Sequence, residues 1–404
     1  MSRSTITAGR TTATADAVST VLDADRLSEL VDRPVRAGRL RIKPDVSILV
    51  SLVERSTGVT AGWARLLWPV SHSKASRAER LAARLGIEPP PVTRAVDGGL
   101  LLQSGPLQSD PKLAESMALA ARQGALGAWE VGDLLRYNPS RRLVLRVGGA
   151  VLRLRAHAGG PADDVHRALS ALLPVPRLLG SEAVARCEGH VSLQQWCGDT
   201  NLAEIPGEAA DDATLEATRR VGALLAELHS CTGLLEPELV DRLPRQHPDP
   251  RDLAEVHARQ LDVLAPELAH RVRKVGAMLP ARLPGDPVLT HGDASPDQVL
   301  YEYSTGRIWL TDFDRVRLAP AVTDLGSYLA VAPPSLRCAL LQGYGERRPV
   351  PDTEQLGTAI ALSRLARLAD PLRQADPSWR ERVSTELAAI KRIAKAPQEE
   401  TSWT

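Results

Sequence analysis

The chain has 404 residues, of which 43% are hydrophobic and 25% charged; these are ordinary globular values and exclude general disorder and collagen-like fibres. Fifty basic against 49 acidic residues leave a net charge of +1, so no basic tract points to nucleic acid or to an anionic membrane. No apolar run approaches the roughly eighteen residues of a membrane span, and length alone predicts two or three domains.

Residues 1–20 are small and polar and predict a disordered leader; they lack the apolar core of a signal peptide. Short strands follow at Leu40–Lys43, Ser47–Val53 and Thr60–Leu67, then a helix over Lys74–Leu85, a strand at Gly99–Gln103 and a helix over Pro111–Arg122. The same order then recurs, with strands at Leu134–Tyr137, Arg142–Val147 and Ala150–Arg155, a helix over Asp164–Leu172 and a strand at Val191–Trp196. Arg136–Pro139 aligns with Arg41–Pro44, and Val151–Leu154 with Trp63–Leu66, which predicts an internal duplication. From Asp211 the pattern turns helical: Asp211–His229, Leu253–Met278 with a break at Pro266, Val322–Val331, Pro334–Tyr344, Asp352–Leu368 and Pro377–Ala394. A compact non-helical insert, Pro287–Thr311, interrupts this series. The predicted organisation is a leader (1–20), a small α+β lobe (21–125), a second small lobe (126–200), a helical lobe (201–396) and a tail (397–404). Trp63, Trp68, Trp129 and Trp309 are expected to fill lobe cores. Cys187, Cys197, Cys231 and Cys338 show no C-x-x-C spacing, which argues against a disulfide framework or a zinc site and for a reducing, cytoplasmic setting.

The chemistry concentrates in the insert. It contains His291, Gly292 and Asp293, then Gln298 five residues after the aspartate, then a strand at Ile308–Leu310 leading to Asp312, Phe313 and Asp314. Phosphoryl transfer from ATP needs a carboxylate to orient the acceptor hydroxyl and take its proton, and oxygen ligands for a metal that bridges the phosphates. An Asp, an amide five residues on, a hairpin and a second Asp at the next strand end supply such groups.

This pattern resembles the aminoglycoside phosphotransferase and choline kinase family, whose members share the protein-kinase-like fold. Arg136–Val144 resembles the first hairpin of that family's nucleotide lobe, Leu193–Leu202 its hinge, Gly222–His229 its first large-lobe helix, and Ala321–Leu325 the segment after the metal aspartate. The resemblance covers about residues 130–395. It implies an α+β, bilobal, protein-kinase-like fold with a β-rich nucleotide lobe at 126–200, a helical catalytic lobe at 201–396 and, at 21–125, an extra non-catalytic copy of the small lobe. It further implies ATP and Mg²⁺ as cofactors, Asp293 as catalytic base and Gln298 and Asp312 as metal ligands. His291, Asp314 and Asp324 would brace the loop, and the backbone around Gln194, Gln195 and Trp196 would contact the nucleotide base.

Two departures bear on activity. Gln298 stands where the family usually has asparagine. There is no lysine between Lys112 and Lys274, so the phosphate-gripping lysine of kinase-like lobes is replaced by Arg153, with Asp163 or Asp164 as its expected helix partner. Arginine keeps the charge but is longer, planar and forked. The leading expectation is an ATP- and Mg²⁺-dependent phosphotransferase acting on a hydroxyl of a small metabolite or antibiotic-like molecule. One alternative is a degenerate kinase-fold binding protein in a biosynthetic or peptide-modifying pathway, meeting a protein or peptide through residues 37–125. Another is an enzyme whose acceptor is a peptide Ser or Thr.

Overall fold

The computed structural model describes residues 3–127, 133–205, 211–245 and 249–395. Two helices, α1 (Arg3–Leu22) and α2 (Ala24–Val31), lead into β1 (Val35–Lys43), β2 (Ser47–Glu54), β3 (Thr60–Leu67), α3 (Ser73–Leu85), β4 (Val92–Val96), β5 (Leu100–Gly105) and α4 (Ala114–Arg122). The second sheet unit is β6 (Leu134–Asn138), β7 (Arg142–Val147), β8 (Ala150–Arg155), α5 (Pro161–Leu169), α6 (Glu182–Ala185) and β9 (Val191–Gln195). The helical lobe holds β10 (Thr200–Asn201), α7 (Asp212–Ser230), α8 (Pro237–Asp241), α9 (Pro250–Leu264), α10 (Pro266–Gly276), β11 (Pro287–Thr290), β12 (Val299–Tyr301), β13 (Ile308–Leu310) and β14 (Arg317–Pro320). It ends with α11 (Val322–Leu329), α12 (Pro334–Gly345), α13 (Thr353–Arg367), α14 (Asp370–Arg373) and α15 (Trp379–Lys395). The fold is α+β, with β-sheet units preceding a helical lobe.

The first sheet has the order β1-β2-β3-β5-β4 and the second β6-β7-β8-β9, each antiparallel throughout. In both, a three-strand meander is followed by a helix and a strand that returns beside the third. The edge strand β4 is absent from the sequence reading because it follows Pro89, Pro90 and Pro91, which read as breakers; as an edge strand it tolerates them.

The expected disordered leader is instead helical, as α1. Thr14, Ala17, Val18 and Val21 are all buried, and their spacing (i, i+3, i+4, i+7) makes one helical stripe that packs on α9, β1 and β2. Thr14 Oγ1 donates to Asp45 Oδ1 at 2.8 Å. The stripe is made of small side chains, so it reads as a polar tract in sequence. Trp63, Trp68 and Trp309 are buried as expected; Trp129 and the 397–404 tail lie outside the described residues.

Strand alternation gives the second sheet two contrasting faces. Leu143, Leu145, Leu152 and Leu154 are wholly buried on one face, in a core shared with Leu113, Met117 and Ala120 around α4 and with Trp63 of β3. Each such leucine contributes about 1.5–3 kcal/mol relative to exposure. The two sheet units therefore share a hydrophobic core. Asp110, buried between β5 and α4, strengthens the join: it accepts from Tyr137 Oη (2.6 Å), the Ser140 amide (2.8 Å) and the Lys112 amide (2.9 Å). In the helical lobe, α7 and α12 approach so closely that a Cβ on Gly222 would lie 2.0 Å from the Leu340 carbonyl oxygen. The break at Pro266 separates α9 from α10, with the proline at the first helical position. Among the described residues, no helix is long and apolar enough to cross a membrane, and all four cysteines are free thiols.

Candidate active site

β11 pairs with β14, placing Thr290 opposite Arg317, and the chain leaves β11 directly into His291, Gly292 and Asp293. This turn is held from beneath by Asp324 in the first turn of α11. The Asp324 carboxylate, fully buried, accepts from the backbone amides of His291 (2.7 Å) and Gly292 (2.9 Å) and contacts His229 Nε2 at 3.1 Å. His229 Nδ1 in turn lies 3.0 Å from Tyr344 Oη. Burial alone would raise the Asp324 pKa; the hydrogen bond and charge of His229, with His291 and the Gly292 amide, outweigh it and hold the carboxyl below its ordinary value. Gly292 has φ +78°, and a Cβ there would meet the Arg315 carbonyl oxygen at 2.1 Å, so only glycine fits. His291 Nε2 lies 2.8 Å from the Thr311 carbonyl oxygen. Phe313, the single phenylalanine of the chain, lies against the rings of His291 (5.0 Å between centroids) and His166 (5.3 Å).

The β12–β13 hairpin sets Val299 opposite Leu310, and the Thr311 amide donates to the Gln298 carbonyl oxygen at 2.9 Å. Gln298 and Asp312 thus emerge at the same end of the ladder. Gln298 is buried and its Nε2 donates to Asp297 Oδ2 at 2.7 Å, which leaves its amide oxygen as the end available to a cation. Asp312 occupies the left-handed region (φ 66°, ψ 59°), a conformation costing about 1–3 kcal/mol for a non-glycine residue. Asp293, at the other end of the turn, is partly open. Its Oδ1 lies 2.8 Å from Arg367 Nη2 and its Oδ2 3.4 Å from Arg315 Nη1. It shares a cleft with Thr323, Ser327 and Ser363.

The second sheet turns its polar face to these acids. Cross-strand register sets Arg142 opposite Arg155 and Val144 opposite both Arg153 and Arg136, with Arg146 on the same side of β7, so one face carries five arginines. Like charges opposed across a ladder repel, and carboxylates from outside the sheet resolve the conflict. Arg153 Nη2 lies 2.8 Å from Asp312 Oδ1 and 2.9 Å from Asp314 Oδ2. Arg142 Nη1 lies 3.2 Å from Asp312 and 2.6 Å from Asp314. Burial opposes the charge on Arg153, yet Asp312 and Asp314 raise its pKa. Burial likewise would raise Asp312, but Arg153 and Arg142 hold it well below the usual carboxylate range.

Two expectations require correction. Arg153 does not pair with a helix carboxylate: Arg155 takes Asp163 in a bidentate contact at 2.7 and 2.8 Å, while Asp164 meets Arg167 and Arg242. Alternation alone cannot say which of two arginines on one face reaches the helix. Asp314 meets Arg142 and Arg153 in the ion network, while Asp324 and His291 form hydrogen bonds to the loop backbone. The amides of Gln195 and Trp196 are already spent, on the carbonyl oxygens of Arg177 (2.8 Å) and Gly149 (3.0 Å). Trp196 instead stacks under the Arg146 guanidinium at 4.1 Å, and Gln194 is buried with an unpartnered Oε1.

The sequence reading missed Arg142, His229, Arg315 and Arg367. Arg315 stands three residues after Asp312 and was within reach of a local reading; His229, Arg142 and Arg367 meet their partners only through the tertiary fold. For a divalent cation, the Asp312 carboxylate and the Gln298 amide oxygen form a hard-oxygen donor pair of the kind Mg²⁺ takes. The donor chemistry fits, in competition with two guanidinium groups that already neutralise Asp312.

No curated protein sequence matches this chain. In solved structures it is similar to a choline/ethanolamine kinase family protein from Mesorhizobium loti (18% identity, 69% of this chain and 94% of that one, TM-score 0.47). It is also similar to a macrolide 2'-phosphotransferase from Brachybacterium faecium (23% identity, 71% and 100%, TM-score 0.41), and to an amicoumacin kinase in complex with AMP-PNP and Ca²⁺ (13% identity, 68% and 92%, TM-score 0.48). The phosphotransferase enzyme family matches residues 133–356, more than half of the chain and all of the site just described except Ser363 and Arg367; the chain belongs to the phosphotransferase enzyme family.

Proposed function

We propose that this chain transfers the γ-phosphoryl group of ATP to a hydroxyl of a small molecule, with Asp293 as the base. The observation that carries the reading is the meeting of Arg153 with Asp312: a buried cation on the third strand of the small lobe reaches the carboxylate beside the Asp293 turn, so both lobes contribute to one charged site. The acceptor oxygen bonds to the γ-phosphorus as its proton passes to an Asp293 carboxylate oxygen. The bond from that phosphorus to the β,γ-bridging oxygen breaks, and its electron pair leaves on ADP. Arg315 and Arg367 orient Asp293, while Arg142 and Arg153 turn from Asp312 toward the phosphates, where guanidinium groups bind well. A divalent cation, when bound, would be held by Asp312 and Gln298 and would neutralise phosphate charge.

Calorimetric titration of ATP, with and without Mg²⁺, into wild type and Asp312→Ala tests the site. Micromolar, Mg²⁺-dependent binding lost in the variant supports the reading, and an acceptor screen with Asp293→Ala as control follows; general-base loss lowers turnover by about 10²–10⁴-fold. A second reading, a kinase-fold binding protein without turnover, is favoured by the same two arginines, which already occupy Asp312. Absence of binding at millimolar ATP would select it.

A further inference from the structure

About half of the described arginines meet carboxylates; Arg273, for example, meets both Glu255 and Asp262. A group near the candidate active site does not. Arg39 and Arg41 lie on β1, on the face opposite buried Leu40, and the register Arg41–Leu49–Arg65 shows that this face is the one shared with Trp63 and the second sheet unit. Arg136 lies on β6 and Arg141 in the β6–β7 turn that Asp110 clamps to the first unit. Among the described residues, no hydrogen bond or ion pair is formed by the side chains of Arg39, Arg41, Arg136 or Arg141, and the first three are half-buried. The third wall is α14, which packs on β1 and brings Arg373, whose counterion is Asp370 at 3.0 Å.

These walls belong to one electrostatic neighbourhood. Burial first, and then the charges of Arg41, Arg373 and Arg315, make Arg141 less basic than a free arginine. Burial and then Arg136, against the opposing Asp370, and Arg142 do the same for Arg39. α14 follows directly on α13, whose Arg367 contacts Asp293, and Arg141 adjoins Arg142, which contacts Asp312, so the group borders the proposed base. Four cations from β1, β6 and the β6–β7 turn, left without a bonded carboxylate beside the paired Arg373, are destabilising in an empty site and favourable in one that receives an anion.

We infer that the hydroxyl acceptor carries an anionic group, a phosphate or a carboxylate, and that Arg39, Arg41, Arg136, Arg141 and Arg373 form the subsite that holds it beside Asp293. The inference rests on the phosphotransferase reading above and names its substrate class: the acceptor is an acidic molecule rather than a polycationic one. The arginines on β1 give the N-terminal sheet unit a part in acceptor selection.

The test is calorimetric titration of inorganic phosphate, and separately of malonate, into the full chain saturated with AMP-PNP and Mg²⁺. Wild type is expected to bind one or both, which also tells phosphate from carboxylate. The Arg39→Ala/Arg41→Ala variant is expected to bind at least about tenfold more weakly, with AMP-PNP affinity unchanged and its melting curve checked. The Arg39→Gln/Arg41→Gln variant replaces it if the alanine pair fails to fold. No anion binding at tens of millimolar, or binding that the pair does not weaken, overturns the inference. So does anion binding that disappears once AMP-PNP is saturating, because the arginines would then serve the nucleotide's own phosphates. Should wild type bind no nucleotide, the titrations run on the nucleotide-free chain. Anion binding lost in the pair variant then upholds the subsite while the phosphotransferase reading falls.

Discussion

The two sheet units place an arginine at the same strand position and give it opposite surroundings. Arg65 on β3 donates through Nε and Nη2 to Gln103 Oε1 (3.0 and 2.6 Å) and to the Lys74 carbonyl oxygen (2.7 Å). Arg153 on β8 meets Asp312 and Asp314. Burial pushes the Arg65 guanidinium down to about 10, with Asp110 and Glu79 opposing, whereas carboxylates raise Arg153 despite its burial. The strand pattern supplies the cation in both units; only the helical lobe, through the loop after β13, supplies carboxylates, and it supplies them to the second unit. The first sheet repeats the strand arginine without those carboxylates.

The comparison can be broken at its join. Asp110→Ala leaves the Tyr137 hydroxyl and the Ser140 amide buried without an acceptor, at about 1–3 kcal/mol each, so a loss of about 4 kcal/mol in urea unfolding is expected; a loss under about 1 kcal/mol would mean the units are joined by packing alone. Arg153→Met comes next. It strips a buried cation from two carboxylates, with Arg142 remaining, and about 3 kcal/mol is expected. Arg65→Met removes bonds to neutral acceptors only: Gln103 Nε2 keeps Thr93 and the Ala75 carbonyl oxygen, while the buried Gln103 Oε1 loses both its donors, so about 2 kcal/mol is expected. Equal losses for the two methionine variants would erase the distinction drawn here.

Acid sharpens the contrast most finely. Asp312 has its folded pKa held below the unfolded value near 4. Its ionisation therefore stabilises the fold fully above about pH 4, and that stabilisation is lost as pH falls through the folded pKa. The penalty of Arg153→Met is expected to shrink between about pH 4 and pH 2, while that of Arg65→Met changes less, because its hydrogen-bond partners are neutral and Asp110 and Glu79 act on it only through their charge. Thermal melts of the three proteins across that range decide it.

The legible parts of this molecule were local ones. His291, Gly292 and Asp293, the amide at Gln298 and the strand running into Asp312 lie within some twenty residues, and their spacing is enough to set them around one hairpin. The meander-helix-strand order was legible twice over, from alternation alone. What escaped depended on distance. Arg142 and Arg153 meet acids more than 150 residues away, and the basic face of the sheet shows that an acid must arrive without saying which. Arg367 reaches Asp293 from α13, and His229 reaches Asp324 from α7, through helix packing that has no sequence signature. The buried stripe of α1 escaped for a different reason: alanine, threonine and valine make a core face only when another helix stands close enough to touch them.

Phe313 offers an unusual vantage on all of this. Because it is the only phenylalanine in the chain and lies against His166 of α5 and His291 of the loop, biosynthetic para-fluorophenylalanine would place one fluorine nucleus between the small lobe and the loop, with no background resonance. Its chemical shift would register the arrival of nucleotide, or of an anion beside Asp293, before any acceptor is known.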